Sequence, residues 1–61
     1  MYLRFIGEDG WMGLTNGDIY KCEIHTSGRF IYVLCVYGVE FRQNCCEYSS
    51  IRKMLENWEE V

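Results

Sequence analysis

The sequence contains no long apolar run and no cluster of basic residues, and both absences restrict what the protein can bind. A membrane-spanning helix needs about 20 consecutive apolar residues, and no stretch of this chain approaches that length. The six basic residues are scattered among nine acidic ones, which gives a net charge of −3, whereas nucleic-acid binding normally requires a basic patch. We therefore expect neither a membrane nor a nucleic-acid partner.

The chain also lacks proline, linkers, repeats and the features of a secretion signal. Its first ten residues have neither a charged n-region nor a long apolar h-region, which predicts a cytoplasmic protein. Hydrophobic residues make up 49% of the chain and aromatic residues 16%, a composition too apolar for disorder. We expect one folded domain over residues 1–61, whose core is marginal because the chain is so short.

The four cysteines and the single histidine are not spaced in a way that indicates a catalytic or metal site. Cys45 and Cys46 are adjacent, so they are unsuited to pairing with each other or to ligating one metal together, and Cys22 and Cys35 lie in strand-like runs where a thiol acts as a small hydrophobe. On a strand, Cys22 and His25 would face opposite sides. The glycine spacing does not match a phosphate-binding loop. We expect reduced thiols, no metal, no cofactor and no enzymatic activity.

Alternation of apolar and polar residues predicts short antiparallel strands. The first spans residues 2–6, with Leu3 and Phe5 facing the core. The second follows the tight-turn signal Asn16–Gly17, and the third, FIYVLCVY at residues 30–37, is apolar on both faces and predicted to be central. A fourth strand is predicted over residues 39–42. The inward-facing residues of the second and fourth strands are predicted to be Tyr20, Cys22, Ile24, Val39 and Phe41.

The hydrophobic period changes near the C-terminus. Ser50 is a suitable helix N-cap, and Ile51, Leu55 and Trp58 recur at i, i+4 and i+7, the spacing of one apolar helix face. This pattern predicts a short helical turn over residues 50–55, followed by a fifth strand at residues 58–61. One continuous helix reaching Glu60 is the alternative.

The order of these elements is that of an SH3-like barrel, and the segment FIGEDGWMGLTNGDIYKCEI adds a closer likeness. It resembles a group of small uncharacterised SH3-like barrel proteins of Gram-positive bacteria and their phages, which typically carry Ile-Gly and then Gly-Leu-Thr-x-Gly-x-x-Tyr. The ending YSSIRKMLENW is similar too. The resemblance implies a mainly β fold, a small five-stranded SH3-like barrel with one short helical turn near the C-terminus. It brings no catalytic residues, and a phage origin would place the protein in the host cytoplasm.

Aromatic residues exceed what a small core can hold, and rigid aromatics are common anchors at interfaces. In SH3-like barrels an aromatic groove near the first long loop can hold a peptide. We therefore expect a non-enzymatic binding protein that docks on a bacterial host or defence protein and inhibits or modulates it. The alternative for the two tryptophans is that they plug the barrel ends. The predicted partner-binding residues are Trp11, Met12, Tyr32, Tyr37 and Tyr48.

A second hypothesis is a small-ligand binder acting as an oligomer. In that case aromatic rings would stack on the base of a nucleotide, and Arg29 or Arg42 would meet its phosphate. A third is a structural accessory subunit. The sequence leaves open whether the protein forms a homo-oligomer.

Overall fold

A computed structural model describes residues 1–37 and 42–61, with the side chains of residues 36, 37 and 42–44 outside the description. The described chain contains five β-strands, a 3₁₀ turn at Trp11–Gly13 and one α-helix. None of the helices in these ranges is long and apolar enough to cross a membrane. The elements are β1 (Tyr2–Phe5), β2 (Ile19–Ser27), β3 (Phe30–Tyr37), β4 (Arg42–Tyr48), α1 (Ile51–Leu55) and β5 (Trp58–Glu60).

The five strands form one open antiparallel sheet in the order β4-β3-β2-β1-β5. Strands β2, β3 and β4 follow one another as a meander, and β5 returns to pair with β1. The short turn between β2 and β3 contains Gly28, whose φ of 60° lies in the left-handed region that glycine tolerates best. The mainly β fold predicted from the alternating residues is confirmed.

One face of the sheet carries the hydrophobic core. Leu3 and Phe5 are buried as predicted, and so is Cys22. Ile24 lies on the same face as Cys22, opposite the buried Val33, but it is 38% exposed and is not part of the buried core. β1 pairs with residues 19–21 of β2, so the second half of β2 extends beyond the end of β1. Among the side chains that the structure describes, the buried ones are those of Leu3, Phe5, Leu14, Cys22, Val33, Cys35, Cys46, Tyr48, Met54 and Trp58.

The described fourth strand lies further along the chain than the predicted segment at residues 39–42. β4 runs from Arg42 to Tyr48, with Cys46 and Tyr48 buried and Cys45 and Glu47 exposed. Val39 and Phe41, predicted to face inward, lie outside the described residues. Buried Cys46 and Tyr48 alternate with exposed residues, which is the pattern that predicted the other strands. In β4 a cysteine occupies one of the buried positions.

The C-terminal segment is a helical turn followed by a strand, so the alternative of one continuous helix is wrong. Ser50 caps the helix as predicted, because its Oγ accepts a hydrogen bond from the Lys53 backbone N–H at 3.2 Å. The buried helix residue is Met54, however, whereas Ile51 and Leu55 are 62% and 55% exposed. A helix of five residues makes little more than one turn, so packing between β4 and β5 decides which side faces inward.

Candidate functional site

The candidate site is the β1–β2 loop, residues 6–18, which is closed at its base by hydrogen bonds between its two ends. The Phe5 N–H donates to the Asp18 carbonyl at 2.9 Å, and the Gly17 N–H donates to the Phe5 carbonyl at 2.7 Å. The Thr15 N–H donates to the Tyr20 hydroxyl at 2.8 Å. These bonds hold the two ends of the loop together beside β1 and β2.

Asn16 links the two limbs of the loop above this base. Its backbone N–H donates to Asp9 Oδ1 at 2.9 Å, and its side-chain amide donates to the Gly7 carbonyl at 2.7 Å. The bonds join residues seven and nine positions apart in the sequence, so they connect opposite sides of the loop rather than closing a local turn. These two bonds hold the loop in one shape, although no regular strand pairing runs through it.

The far part of the loop is the 3₁₀ turn, fixed by backbone bonds and one buried side chain. The Trp11 N–H donates to the Glu8 carbonyl at 3.1 Å, and the Leu14 N–H donates to the Trp11 carbonyl at 2.9 Å. Gly10 precedes the turn with a φ of 87° and donates its N–H to the Leu14 carbonyl at 2.7 Å. Leu14 is fully buried, so it anchors the loop to the core.

Trp11 lies on the loop with part of its ring exposed to solvent. Its indole is stacked on the Phe5 ring, with centroids 6.2 Å apart and planes 11° apart, a separation within the range of offset aromatic pairs. Phe5 itself is fully buried, whereas Trp11 is 37% exposed. The Phe5 ring therefore supports Trp11 from the core side.

Met12 is presented beside Trp11 in an unusual backbone conformation. It is 44% exposed, and its φ of 55° makes it the one residue other than glycine with a positive φ among the described residues. Such a conformation costs of order 1 kcal/mol or more and persists only where the surroundings impose it. The loop thus fixes the backbone of Met12 and places its flexible, polarizable side chain next to the aromatic ring of Trp11.

All the charged side chains of the β1–β2 loop are acidic. Glu8, Asp9 and Asp18 are all exposed, and the sequence contains no basic residue between Arg4 and Lys21. The preceding cation, Arg4, is paired with Glu59 at 3.1 Å. The apolar side chains of Trp11 and Met12 are therefore carried by an acidic loop. An acidic surface that sets the choice of partner was expected from the net charge, and the structure shows that three of its carboxylates lie on this loop.

The three tyrosines predicted to accompany Trp11 and Met12 have different placements. Tyr32 alternates along β3 with the buried Val33, so its side chain lies on the face of the sheet opposite the core and opposite Phe5. Tyr48 is a core residue, 7% exposed. The side chain of Tyr37 lies outside the described residues. Among the predicted residues whose side chains are described, the structure therefore brings Trp11 and Met12 together and separates them from Tyr32 and Tyr48.

Tyr48 is held in the core by two donors. Its hydroxyl accepts a hydrogen bond from the Trp58 indole Nε1 at 2.9 Å and one from the Asn57 side-chain amide at 3.0 Å. Burial raises the pKa of the Tyr48 hydroxyl, and the bonds from Asn57 and Trp58 partly oppose that effect. Tyr48 thus satisfies a buried indole N–H and contributes to packing, so we leave it out of the candidate surface.

The two arginines predicted as phosphate ligands are far apart along the sheet. Arg29 lies in the turn before β3, whereas Arg42 is paired with Tyr37 at the other end of that strand. At a rise of about 3.3 Å per residue the two backbones are separated by roughly 20 Å or more. The side chain of Arg42 lies outside the described residues. The described backbone therefore does not support a phosphate site made by both arginines.

The buried thiols form the other group of potentially reactive side chains. Cys22, Cys35 and Cys46 are free and buried, whereas Cys45 is free and exposed. Burial raises the pKa of Cys46 to about 11 and also raises that of Cys22 and Cys35, so these thiols are protonated and weakly nucleophilic at neutral pH. Within residues 1–37 and 42–61, no three histidine, cysteine or acidic side chains are arranged to hold a metal ion.

Comparison with known proteins adds no relative from which a role could be taken. No model of a protein family matches the chain, and the searches of curated proteins and of solved structures found no match. The interpretation of the β1–β2 loop therefore depends on its own geometry and charge.

Proposed function

We propose that the protein is a non-enzymatic binding module that inserts Trp11 and Met12 into a basic segment of a partner protein. The observation that carries this proposal is the pair of partly exposed apolar side chains on a hydrogen-bonded acidic loop. Tryptophan is enriched among the residues that dominate interface energies. Because the loop is already ordered by Asn16, little conformational entropy is lost when a partner binds.

The charge of the loop supports a partner of the opposite sign. Glu8, Asp9 and Asp18 give this surface a negative potential, which favours Lys- or Arg-bearing segments and disfavours acidic ones. Exposed charges contribute mainly to the rate of association and to the choice of partner. In this proposal the apolar pair provides most of the affinity and the carboxylates provide most of the selectivity.

We further propose that the sheet curls into an SH3-like barrel and that the protein acts on a bacterial host or defence protein in the cytoplasm. The meander of β2, β3 and β4, with β5 returning beside β1, supports the barrel. The resemblance to SH3-like proteins of Gram-positive bacteria and their phages supports a bacterial protein as the partner. Docking would inhibit or modulate that host protein by covering the basic segment.

A capture experiment followed by affinity measurement tests this function. The tagged chain is expressed in a Gram-positive bacterium, the captured protein is purified, and its Kd is compared for wild type, Trp11→Ala and Ile24→Ala. Ile24 is a matched control because it is also partly exposed, at 38%, but lies on the distal half of β2. We expect Trp11→Ala to weaken binding at least about tenfold and Ile24→Ala to leave the Kd unchanged.

Salt dependence tests the predicted chemistry of the partner. Binding through acidic side chains should weaken as the ionic strength rises from about 0.05 to 0.5 M, where screening shortens the Debye length. Neutralising the loop with Glu8→Gln should reduce that dependence. A captured protein that binds Trp11→Ala as tightly as wild type, or whose affinity is indifferent to salt, would contradict the proposal.

A further inference from the structure

Two of the buried thiols, which the proposed binding function does not use, face each other across neighbouring strands. Cys22 of β2 and Cys35 of β3 are directly paired in the sheet register. Their Sγ atoms are 3.4 Å apart, and the two residues are 1% and 0% exposed. The two sulfur atoms are therefore in direct contact inside the core.

The backbone under this pair already suits a disulfide. Directly paired residues in an antiparallel sheet have Cα atoms about 4.5–5.5 Å apart, and disulfides form where that distance is about 4.4–6.8 Å. The S–S bond length is about 2.05 Å, so the Sγ atoms need to approach by little more than about 1 Å. A small rotation of the side chains is sufficient, with no change in the register of the two strands.

We propose that Cys22 and Cys35 form an oxidation site at which a small peroxide produces an intramolecular cross-strand disulfide. One thiolate attacks the peroxide O–O bond and becomes a sulfenic acid, and the second oxygen leaves as water. The sulfur of the other cysteine then attacks the sulfenic sulfur, forming the S–S bond and releasing a second water. Two thiols thus lose two protons and two electrons, and hydrogen peroxide is reduced to two water molecules.

Burial limits how fast the pair reacts. It raises the pKa of both Cys22 and Cys35, and their Sγ atoms share a hydrogen bond in which either can be the donor. Either thiol can therefore supply the attacking thiolate. Because the thiolate is scarce at neutral pH, oxidation should be slow and should accelerate as the pH rises.

The disulfide would join β2 to β3 in a domain whose core is small. The two cysteines are 13 residues apart in the chain, so the bond restricts the unfolded chain by closing a loop of moderate length. For a domain of this size we expect the melting temperature of the oxidised protein to be higher by about 10 °C or more. The modification would act as a covalent staple beneath the sheet and leave the β1–β2 loop accessible.

Peptide mapping of the oxidised full chain tests the proposal. The purified protein is treated with hydrogen peroxide, alkylated and digested without reduction, and the melting temperature is measured before and after oxidation. We expect a linked Cys22–Cys35 peptide pair, a monomeric product and a higher melting temperature that reductant reverses. Cys46→Ala, at another buried thiol, should still form the link, whereas Cys35→Ala should abolish it.

Several outcomes would overturn the proposal. These are oxidation confined to the exposed Cys45, a link between any other pair of cysteines, a dimer joined through Cys45, or an oxidised form that melts no higher than the reduced one. Should Cys35→Ala fail to fold, the mapping of wild type and of Cys46→Ala still decides the result, because the linked peptides identify the pair directly.

Discussion

The two tryptophans contact the same phenylalanine ring from different regions of the molecule. Trp58 meets Phe5 edge-on, with centroids 5.1 Å apart, and is 1% exposed. Trp11 stacks on Phe5 at 6.2 Å and is 37% exposed. Trp58 lies on a strand paired with β1, whereas Trp11 is held by a loop. The same side chain thus completes the core in one region and remains available to a partner in the other.

Differences in burial and hydrogen bonding of the two indole rings explain this difference. The Nε1–H of Trp58 is buried and donates to the Tyr48 hydroxyl, which removes the penalty of burying a polar group. Trp11 stacks on the Phe5 ring and is 37% exposed. We infer that Trp58 contributes mainly to stability and that Trp11 contributes mainly to recognition.

The largest expected effect is the loss of stability in Trp58→Ala. Removing a fully buried tryptophan should cost about 3–5 kcal/mol, which is comparable with the whole stability of a small domain, so this variant should be mostly unfolded. Trp11→Ala removes a partly exposed stacked ring and should cost about 1 kcal/mol. Urea unfolding followed by circular dichroism compares the two variants. Equal losses of stability would contradict the division between the two rings.

Gly7 provides the next test, because it lies against the ring that both tryptophans contact. A Cβ at Gly7 would lie 2.7 Å from Phe5 Cζ and 2.8 Å from Asn57 Oδ1. Gly7→Ala should therefore force the core and the loop apart and cost about 2–3 kcal/mol. Gly10→Ala is the control, because its Cβ would meet nothing within 4 Å and only the φ of 87° opposes it.

We expect Gly10→Ala to cost about 1 kcal/mol. Tryptophan fluorescence distinguishes the two variants further, since only Gly7→Ala should move the Phe5 ring that both tryptophans contact. If Gly7→Ala is as stable as wild type, the close approach of the loop to Phe5 is not a constraint on the fold.

The strands were predictable from the sequence where one face of the sheet is covered and the other is exposed. Leu3, Phe5 and Cys22 could be identified as buried because their neighbours alternate with them in polarity. The exposure of Ile24 could not be predicted, because the alternation of apolar and polar residues continues along β2 past Cys22 without a change.

The helix and the candidate site were less predictable because both depend on contacts outside the local sequence pattern. Ile51 and Leu55 have the spacing of a buried face, but the burial of Met54 instead depends on how β4 and β5 dock against a single helical turn. Trp11 and Met12 could be chosen because they are apolar residues in a loop. The order of that loop depends on the contacts of Asn16 with Asp9 and Gly7, which no local pattern predicts.

Alkaline pH should destabilise the core region that contains Trp58. The pKa of Cys46 is raised from 9.0 to about 11 by burial, and burial also raises that of Tyr48. The folded chain therefore keeps protons that the unfolded chain releases, so this stability is intact below pH 9 and is lost as the pH rises toward 11. The expected slope is about 1.4 kcal/mol per pH unit for each such group.

Thermal unfolding between pH 8 and pH 11 measures this slope. Cys46→Val keeps an apolar side chain of similar size and removes the titrating thiol, so its stability should fall less steeply over the same range. A stability that is unchanged up to pH 11, or a Cys46→Val profile identical to wild type, would show that the thiol does not titrate in the way its burial predicts.

The smallest effect on stability is expected for Met12→Gly, which separates the shape of the loop from its surface. Glycine adopts the φ of 55° at this position without strain, and this gain offsets its greater freedom in the unfolded chain, so the change should stay within about 0.5–1 kcal/mol. Because the side chain is lost while the turn persists, binding of the captured partner should weaken even though the melting temperature is maintained. Undiminished binding by Met12→Gly would restrict the contact to Trp11 and the carboxylates.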